Sequence, residues 1–430
     1  MRNFTAFLPL FLDGKRHLWY HKSMILKRSR FRQYTTMISE TMYELGSRRS
    51  SIRELFEYGK RAAAEVGAEN VYDFSLGNPS TPPPAAVTEV ALAILRDEEP
   101  CAVHGYTSAQ GSAEVRKAIA DDLNARFDAA LTADDLYMTC GAAASLCIVL
   151  RALTVKAESR FVVQAPYFPE YKVFVESMGG VLDVAAPDTA SFDLNLPALE
   201  TLITPDTQGV LVNSPNNPSG VIYGEDKLMA LAELLRRKAA EYGHPIYLIS
   251  DEPYREITYG KKVPYLPHLY PDTVICYSYS KSLSLPGERI GYVAVPKTAA
   301  DGARLYAAIC GAGRALGYVC APALMQKLVA RCVGMTSDIE AYRRNRDLLY
   351  AALTAMGYEC VIPDGAFYLF VKAPNGDAKA FSEAAKDFNI LLVAGDDFGC
   401  PGYARLSYCV DHEMIKRSLP AFGRLKERLI

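Results

Sequence analysis

No apolar run in this 430-residue chain approaches the roughly 18 residues needed to cross a bilayer. The longest early run, 4–12, is broken by Pro9 and stops at Asp13, so no membrane partner is expected. Metal-site spacing is also missing. The ten cysteines are scattered without a C-x-x-C pair, and the histidines do not cluster, so no metal is expected and the thiols read as reduced, mostly buried and cytoplasmic. There is no repeat, no low-complexity tract and no readable helix-turn-helix. What the chain has is enough apolar residue, 50% against 22% charged, to bury a large core, and a length that suggests two domains.

Acid is nearly absent from residues 1–36. They carry eight Lys/Arg against Asp13 alone, a formal +7, which leaves the rest of a −2 chain at −9. An acidic body does not favour nucleic acid. This basic segment holds the only tryptophan, Trp19, and runs up to Met37. It is expected to be disordered or an over-extended reading frame, with the folded protein starting at about Met37. A targeting peptide or an arm lying on a partner subunit are the alternatives.

Beyond Met37, Ser51 and Glu54 have capping-box spacing and open a helical pattern toward Gly67. Short apolar runs then alternate with amphipathic stretches. Strands are expected at 71–76, 136–139, 161–164, 209–213, 246–250, 274–278 and 290–295, and helices from Ala142, Pro169 and Glu225. That alternation indicates an α/β fold with a largely parallel sheet. The chain is mainly helical from Thr298. After Gly357 it turns mixed, with strands expected at 366–371, 390–393 and 404–409 and a closing helix from His412. The expected division is 37–82 as the arm and first part of a small domain, 83–330 as the large domain and 331–430 as the remainder of a smaller α+β domain. The Pro-rich turn 79–84 is either a hinge between them or a loop preceding a helix.

The chemistry-bearing residues sit where these strands end. Lys281 lies among Ser278, Ser280 and Ser282, with Arg289 eight positions on. A lysine amine condenses with an aldehyde, and a hydroxyl and a guanidinium can hold phosphate oxygens, the two groups that pyridoxal phosphate combines. A solvated lysine in a Ser-rich turn is the other reading. Gly141-Ala142-Ala143 can offer bare N–H groups to a phosphate or simply join strand to helix. Phe168, in a Pro-Tyr-Phe-Pro turn, can face a flat heterocycle or pack in the core. Asn217 lies in a turn and can donate to a phenolate oxygen. Asp251 closes a buried apolar strand, where a carboxylate needs a cation such as a pyridinium, unless it caps a helix; Tyr254 follows it.

In this order these residues resemble the class I/II pyridoxal-phosphate aminotransferases of fold type I, aspartate aminotransferase-like, from about Met37 to the C-terminus. The resemblance rests on Asn217-Pro218-Ser219-Gly220, Asp251 with Tyr254, Ser278 to Lys281, Gly287 to Gly291 and Ala404-Arg405-Leu406-Ser407. It implies a mostly parallel seven-stranded sheet in a large domain plus a smaller α+β domain. Lys281 would tether the cofactor aldehyde and act as base, Asp251 would pair with the ring nitrogen, and Asn217 and Tyr254 would bind the ring oxygen. Phe168 would stack on the ring. Phosphate contacts would come from Ala142, Ala143, Ser278 and Arg289, with Tyr106 reaching in from the neighbouring subunit of a homodimer that shares its active sites. Gly77, Asn217 and Arg405 would bind substrate. The implied reaction is a ping-pong transfer of an amino group from an L-amino acid, aspartate or a broad acidic-to-aromatic range, to a 2-oxo acid such as 2-oxoglutarate, in the cytoplasm.

The match departs from the family pattern in places. Tyr171 stands in the region where some relatives place a histidine that supports the acid, which leaves the support of Asp251 open. Ala142 and Ala143 lack the cationic or hydroxyl side chains of some dicarboxylate-specific relatives. Arg314 lies near the region of a possible second carboxylate arginine, but reads first as a solvated helix residue. A carbon–sulfur β-lyase on the same fold and an aminotransferase-like regulator are the competing functions.

Overall fold

The structure, a computed structural model, describes residues 37–47 and 51–429, with side chains from Arg53 in the second stretch. The basic segment 1–36, and the side chain of Ser51 on which the capping box depends, lie outside the described residues. The chain forms two compact units, 1–50 and 51–430. The helix Glu40–Ser47 is the described element of the first.

In the second unit, a sheet of seven strands comprises β2 (Leu136–Thr139), β3 (Arg160–Gln164), β4 (Val181–Ala185), β5 (Thr207–Asn213), β6 (Tyr247–Asp251), β7 (Thr273–Ser278) and β8 (Gly291–Ala294). They lie in the order β2-β8-β7-β6-β5-β3-β4. Only β8 runs antiparallel to its neighbours, so the sheet is the mostly parallel α/β sheet that the alternation of strand and helix implies. Its strands are apolar on both faces because both are covered. Val163, Ile249, Val274 and Val293 pack with the helices Ala142–Leu153 and Gly302–Leu316, whereas Val162, Val210, Val212 and Leu248 pack with Glu225–Tyr242 on the other side. Each fully buried aliphatic side chain contributes about 1.5–3 kcal/mol relative to exposure.

The edge strand β4 has no counterpart in the expected elements. Most of its residues are half-buried or exposed, which erases the apolar run that marks its neighbours. Strand β1 (Tyr72–Asp73) is shorter than the apolar run around it and pairs in parallel with β11 (Ile390–Leu391). The run 390–393 is divided: β11 joins β1, while β12 (Val393–Ala394) joins a four-stranded antiparallel sheet, β12-β13-β10-β9, with β9 Cys360–Val361, β10 Tyr368–Lys372 and β13 Tyr403–Ser407. The helices Ile339–Ala355, Ala378–Lys386 and His412–Leu429 cover this sheet, and the core they share includes Phe74, Leu349, Phe381, Phe422 and Leu425. Tyr254 and Ile257, from the turn after β6, reach into the same core.

A buried ionic strap holds that turn. Glu252 accepts from Ser250 Oγ at 2.6 Å and from Arg255 at 2.7 Å, and Arg255 also donates to Glu256 at 3.3 Å and to the Tyr292 hydroxyl on β8 at 2.8 Å. Tyr277 of β7 donates to Glu256 at 2.8 Å and lies 2.9 Å from the Ser282 hydroxyl, beside Lys281. Burial pushes the Glu252 carboxyl up. Burial acts on Glu256 too, but the Arg255 and Arg126 charges and the Tyr277 hydroxyl hold it below its ordinary value, so its contribution to stability is present above the carboxylate range and lost as pH falls through it.

Replacing Arg255 by Met strands the buried Glu252 carboxylate and leaves Glu256 with Arg126 as its cation. Urea unfolding at neutral pH should show a loss of about 3–5 kcal/mol. Part of that loss should be regained on acidification, because protonation neutralises the stranded group; a loss that is the same at all pH values would disprove the ionic account.

Candidate active site

The parallel strands end on one edge of the large sheet, and β8, running the other way, begins there. Registers place Asn213 of β5 beside Asp251 of β6, Asp251 beside Cys276 of β7, and Ser278 beside Gly291 at the start of β8. The turns leaving these ends bound a cavity of about 290 Å³. Its walls include Gly77, Ala142, Ala143, Phe168, Asn217, Asp251, Tyr254, Ser278, Lys281, Arg289 and Arg405. The structure thus brings together every expected site residue except Tyr106, whose side chain is 98% exposed and does not line the cavity of its own chain. Arg314 is exposed on the helix Gly302–Leu316 and does not line it either.

Asp251 ends a strand whose five residues are all buried. One carboxylate oxygen, Oδ2, accepts from the Tyr171 hydroxyl at 2.5 Å, while Oδ1 is buried and has no partner. Burial pushes this carboxyl up to about 7, even though the bond from Tyr171 favours the ionised form. Tyr171, on the helix Glu170–Ser177, is itself buried and meets the Phe168 ring edge-on at 5.6 Å, so one phenol braces both the acid and the aromatic wall. It stands where the sequence left the support of Asp251 open. Asp251 caps no helix.

Lys281 lies in the helical turn Tyr279–Ser282, which Ser278 caps through its hydroxyl. Its Nζ donates to the Gly77 carbonyl at 2.7 Å, and burial, ahead of the charges of Arg289 and Arg405, lowers the amine to about 8. At the other end of the cavity the Arg289 guanidinium is spread between the Pro286 carbonyl at 2.8 Å, the Cys140 carbonyl at 3.3 Å and the Ser280 hydroxyl at 3.5 Å. Gly141 has φ 88°, and a Cβ there would stand 2.9 Å from Arg289 Nη2; glycine therefore lets the Ala142 helix start close against the guanidinium.

Arg405, in the middle of β13, is 2% exposed. It donates to Asn217 Oδ1 at 3.0 Å and to the Ser75 carbonyl at 2.6 Å, while its Nε is buried without a partner. The Tyr368 and Phe398 rings lie 4.7 and 5.0 Å from its guanidinium carbon. Tyr368, which also lines the cavity, sits beside no motif; only the pairing of β10 with β13 brings it there.

This donor set fits pyridoxal phosphate. A buried carboxylate oxygen awaits a cation, an amine of lowered basicity faces the same space, and a guanidinium and a helix N-terminus stand together for an anion. Residues 69–422 match the family "aminotransferase class I and II". The chain belongs to this aminotransferase family. A solved amino transferase from Eubacterium rectale is 57% identical to it, with a TM-score of 0.90 over 91% of this chain and 99% of its own. The aspartate aminotransferase of Thermus thermophilus, solved with maleate, is 26% identical, with a TM-score of 0.78 over 91% of this chain and 100% of its own. The aspartate/prephenate aminotransferase of Thermus thermophilus is 30% identical over 363 residues, which cover 82% of this chain and 90% of that protein. This aminotransferase is therefore a fold type I enzyme that uses pyridoxal 5′-phosphate and acts on amino acids and 2-oxo acids. The relatives' names do not favour the carbon–sulfur β-lyase.

Without its cofactor the enzyme bears the cost of ionising Asp251. A carboxyl raised in the folded state stabilises the fold below its unfolded pKa and loses that contribution as pH rises through about 7. Cofactor-free Asp251→Asn protein should therefore be more stable than cofactor-free wild type at pH 8, by on the order of a few kcal/mol, with the gain shrinking toward pH 5. Thermal unfolding at the two pH values checks this; a gain independent of pH would refute it.

Proposed function

We propose that this enzyme moves the amino group of an L-amino acid, aspartate or a broad acidic-to-aromatic range, to a 2-oxo acid such as 2-oxoglutarate. The observation that carries this reading is the meeting of Lys281, the unpartnered oxygen of Asp251 and the buried Arg405 guanidinium in one cavity. The Thermus thermophilus relatives, named as aspartate and aspartate/prephenate aminotransferases, support the substrate range.

In this reading Asp251 holds the protonated ring nitrogen through Oδ1, Phe168 stacks on the ring, and Asn217 and Tyr254 hold the ring oxygen. Asn217 gives its amide oxygen to Arg405, which leaves Nδ2 as its donor. Arg289, the Ser278 hydroxyl and the N–H groups of Ala142 and Ala143 hold the phosphate. Arg405 takes the substrate carboxylate as a two-pronged donor, beside the Gly77 backbone. Pyridoxal phosphate supplies an aldehyde that condenses with amines and a ring that draws off the electron pair left when the Cα proton departs. Lys281 Nζ takes that proton and returns it; an amine near pKa 8 serves both directions at neutral pH. The walls around it exclude water and fix the Cα–H bond against it.

The 98% exposed Tyr106 suits a residue that completes the phosphate site of a second copy, so the enzyme is read as a homodimer with shared active sites. Ten free cysteines accord with a cytoplasmic setting, and transfer of amino groups between amino acids and 2-oxo acids suits a place in amino acid biosynthesis.

Lys281→Ala protein should lack the absorbance at roughly 400–430 nm that marks the cofactor bound through a lysine; its persistence would overturn the assignment. Arg405→Lys should retain that absorbance yet lose about 10²-fold in kcat/KM, because an ammonium cannot replace the paired donors. A panel of amino donors with 2-oxoglutarate reads the substrate range. Pyruvate and ammonia released from cystathionine, without transfer from any donor, would instead select the β-lyase.

A further inference from the structure

Tyr254 has the hydroxyl that the proposed function aims at the cofactor's ring oxygen. That hydroxyl lies 2.8 Å from the hydroxyl of Tyr368, and either can be the donor. The two rings meet nearly at right angles, 5.7 Å apart, and both are buried. Tyr368 opens β10, opposite Ser407 of β13, and its ring covers the Arg405 guanidinium from 4.7 Å. Its hydroxyl also occupies the space in which a Cβ on Gly77 would stand, so a larger residue at that position would displace either the loop or the phenol. One side chain therefore touches the ring-oxygen donor, the carboxylate-binding arginine and the backbone that accepts from Lys281.

We infer that Tyr368 is a positioning residue of the transfer reaction: it donates its proton to the Tyr254 oxygen, which commits Tyr254's own proton to the ring oxygen, and its ring holds the Arg405 fork in plane. This inference rests on the proposed role of Tyr254. A phenol that accepts one hydrogen bond donates a stronger one, because the two polarise in series. Tyr254 has one hydroxyl proton, so once that proton serves the ring oxygen the contact between the two phenols is donated by Tyr368. Burial pushes both phenols up, but at Tyr368 the next influence is Arg405, which opposes it and leaves that group at about 12. At Tyr254 the next influence is Tyr368, which adds to the rise, as does Asp251, with Arg405 opposing. Arg405, Cys409 and Tyr254 are the ionisable groups that act on Tyr368, and of these Cys409 raises it.

The test loads wild type, Tyr254→Phe, Tyr368→Phe and the double variant with pyridoxal phosphate and follows cofactor absorbance against pH. A bond donated to the ring oxygen favours the form with more negative charge there, the deprotonated one, so weakening it moves the midpoint upward. Tyr368→Phe should raise the midpoint by roughly half a pH unit, less than Tyr254→Phe, and the double variant should go no further than Tyr254→Phe alone. If Tyr254→Phe moves the midpoint and Tyr368→Phe leaves it unchanged, the inference fails while the proposed role of Tyr254 stands. If Tyr254→Phe leaves it unchanged, that role fails and the inference falls with it. Site-specific 3-fluorotyrosine at 368, a more acidic phenol of nearly the same shape, covers the case in which the phenylalanine protein does not fold. It should move the midpoint downward, and no movement would count against the donor role. Tyr368→Phe should keep KM for the amino donor within about two-fold, whereas Tyr368→Leu, which uncovers Arg405, should raise it several-fold; equal KM values in the two variants would overturn the role of the ring.

Discussion

A carboxylate is held at the buried end of the central strand β6 with only one of its oxygens bonded, and much of the site follows from that fact. In an apolar core such a group is costly to ionise, and burial, opposed by the Tyr171 bond and helped by the Glu252 charge, takes it to about 7. The fold tolerates it because Tyr171 shares one oxygen and Asp251 lines a cavity in which a cation can sit. In the proposed assignment that cation is the ring nitrogen, so the electrostatic penalty of the free protein becomes affinity for the cofactor and for its protonated form. A carboxylate already satisfied by protein donors would be cheaper to bury and would have nothing left to offer.

The parallel sheet makes that arrangement available. Strands of equal direction end on one edge, so the turns after β2, β3, β5, β6 and β7 deliver their side chains to a common space, and antiparallel β8 adds Arg289 just before its first residue. The opposite wall belongs to the antiparallel sheet, through Arg405 and Tyr368. The two walls are joined by polar contacts between buried groups: Arg405 with Asn217, and Tyr368 with Tyr254. Such contacts are directional, and a small shift of one wall would leave buried donors unpaired. The two walls are thereby held at a fixed separation, which in the proposed assignment a substrate bridging cofactor and guanidinium requires.

The large sheet was largely legible because strands buried on both faces must be apolar throughout, and β2, β3, β5, β6, β7 and β8 all lie within a residue or two of their apolar runs. Edge strand β4 was not legible, for the complementary reason that a half-exposed strand has no such run. The stretch 390–393 shows a second limit: one apolar segment serves two sheets, and composition cannot show where pairing changes partner. The site was legible where chemistry is written into local order, as at Lys281 with Ser278 and Arg289, or at Asp251. Tyr368 was not, since its place depends on the register of β10 against β13 across a separation of nearly forty residues. The burial of Arg405 between two rings was not legible either, since it too depends on the sheet.

Tyr171 shows how the local rule and the global one meet. A histidine in its place would titrate near neutrality, so the field on Asp251 would change over the range around neutral pH. A phenol behaves otherwise. Burial and the adjacent Asp251 charge drive Tyr171 well above its ordinary value, so it remains a neutral donor throughout that range. The bond to Oδ2 then contributes a constant preference for the ionised carboxylate, and the occupant of Oδ1 is left as the variable that decides the charge of Asp251. Because the same ring braces Phe168, a change in the height of the aromatic wall would be felt at the acid as well. In the proposed assignment the acid's protonation is thus tied to whether a cationic ring lies against that wall.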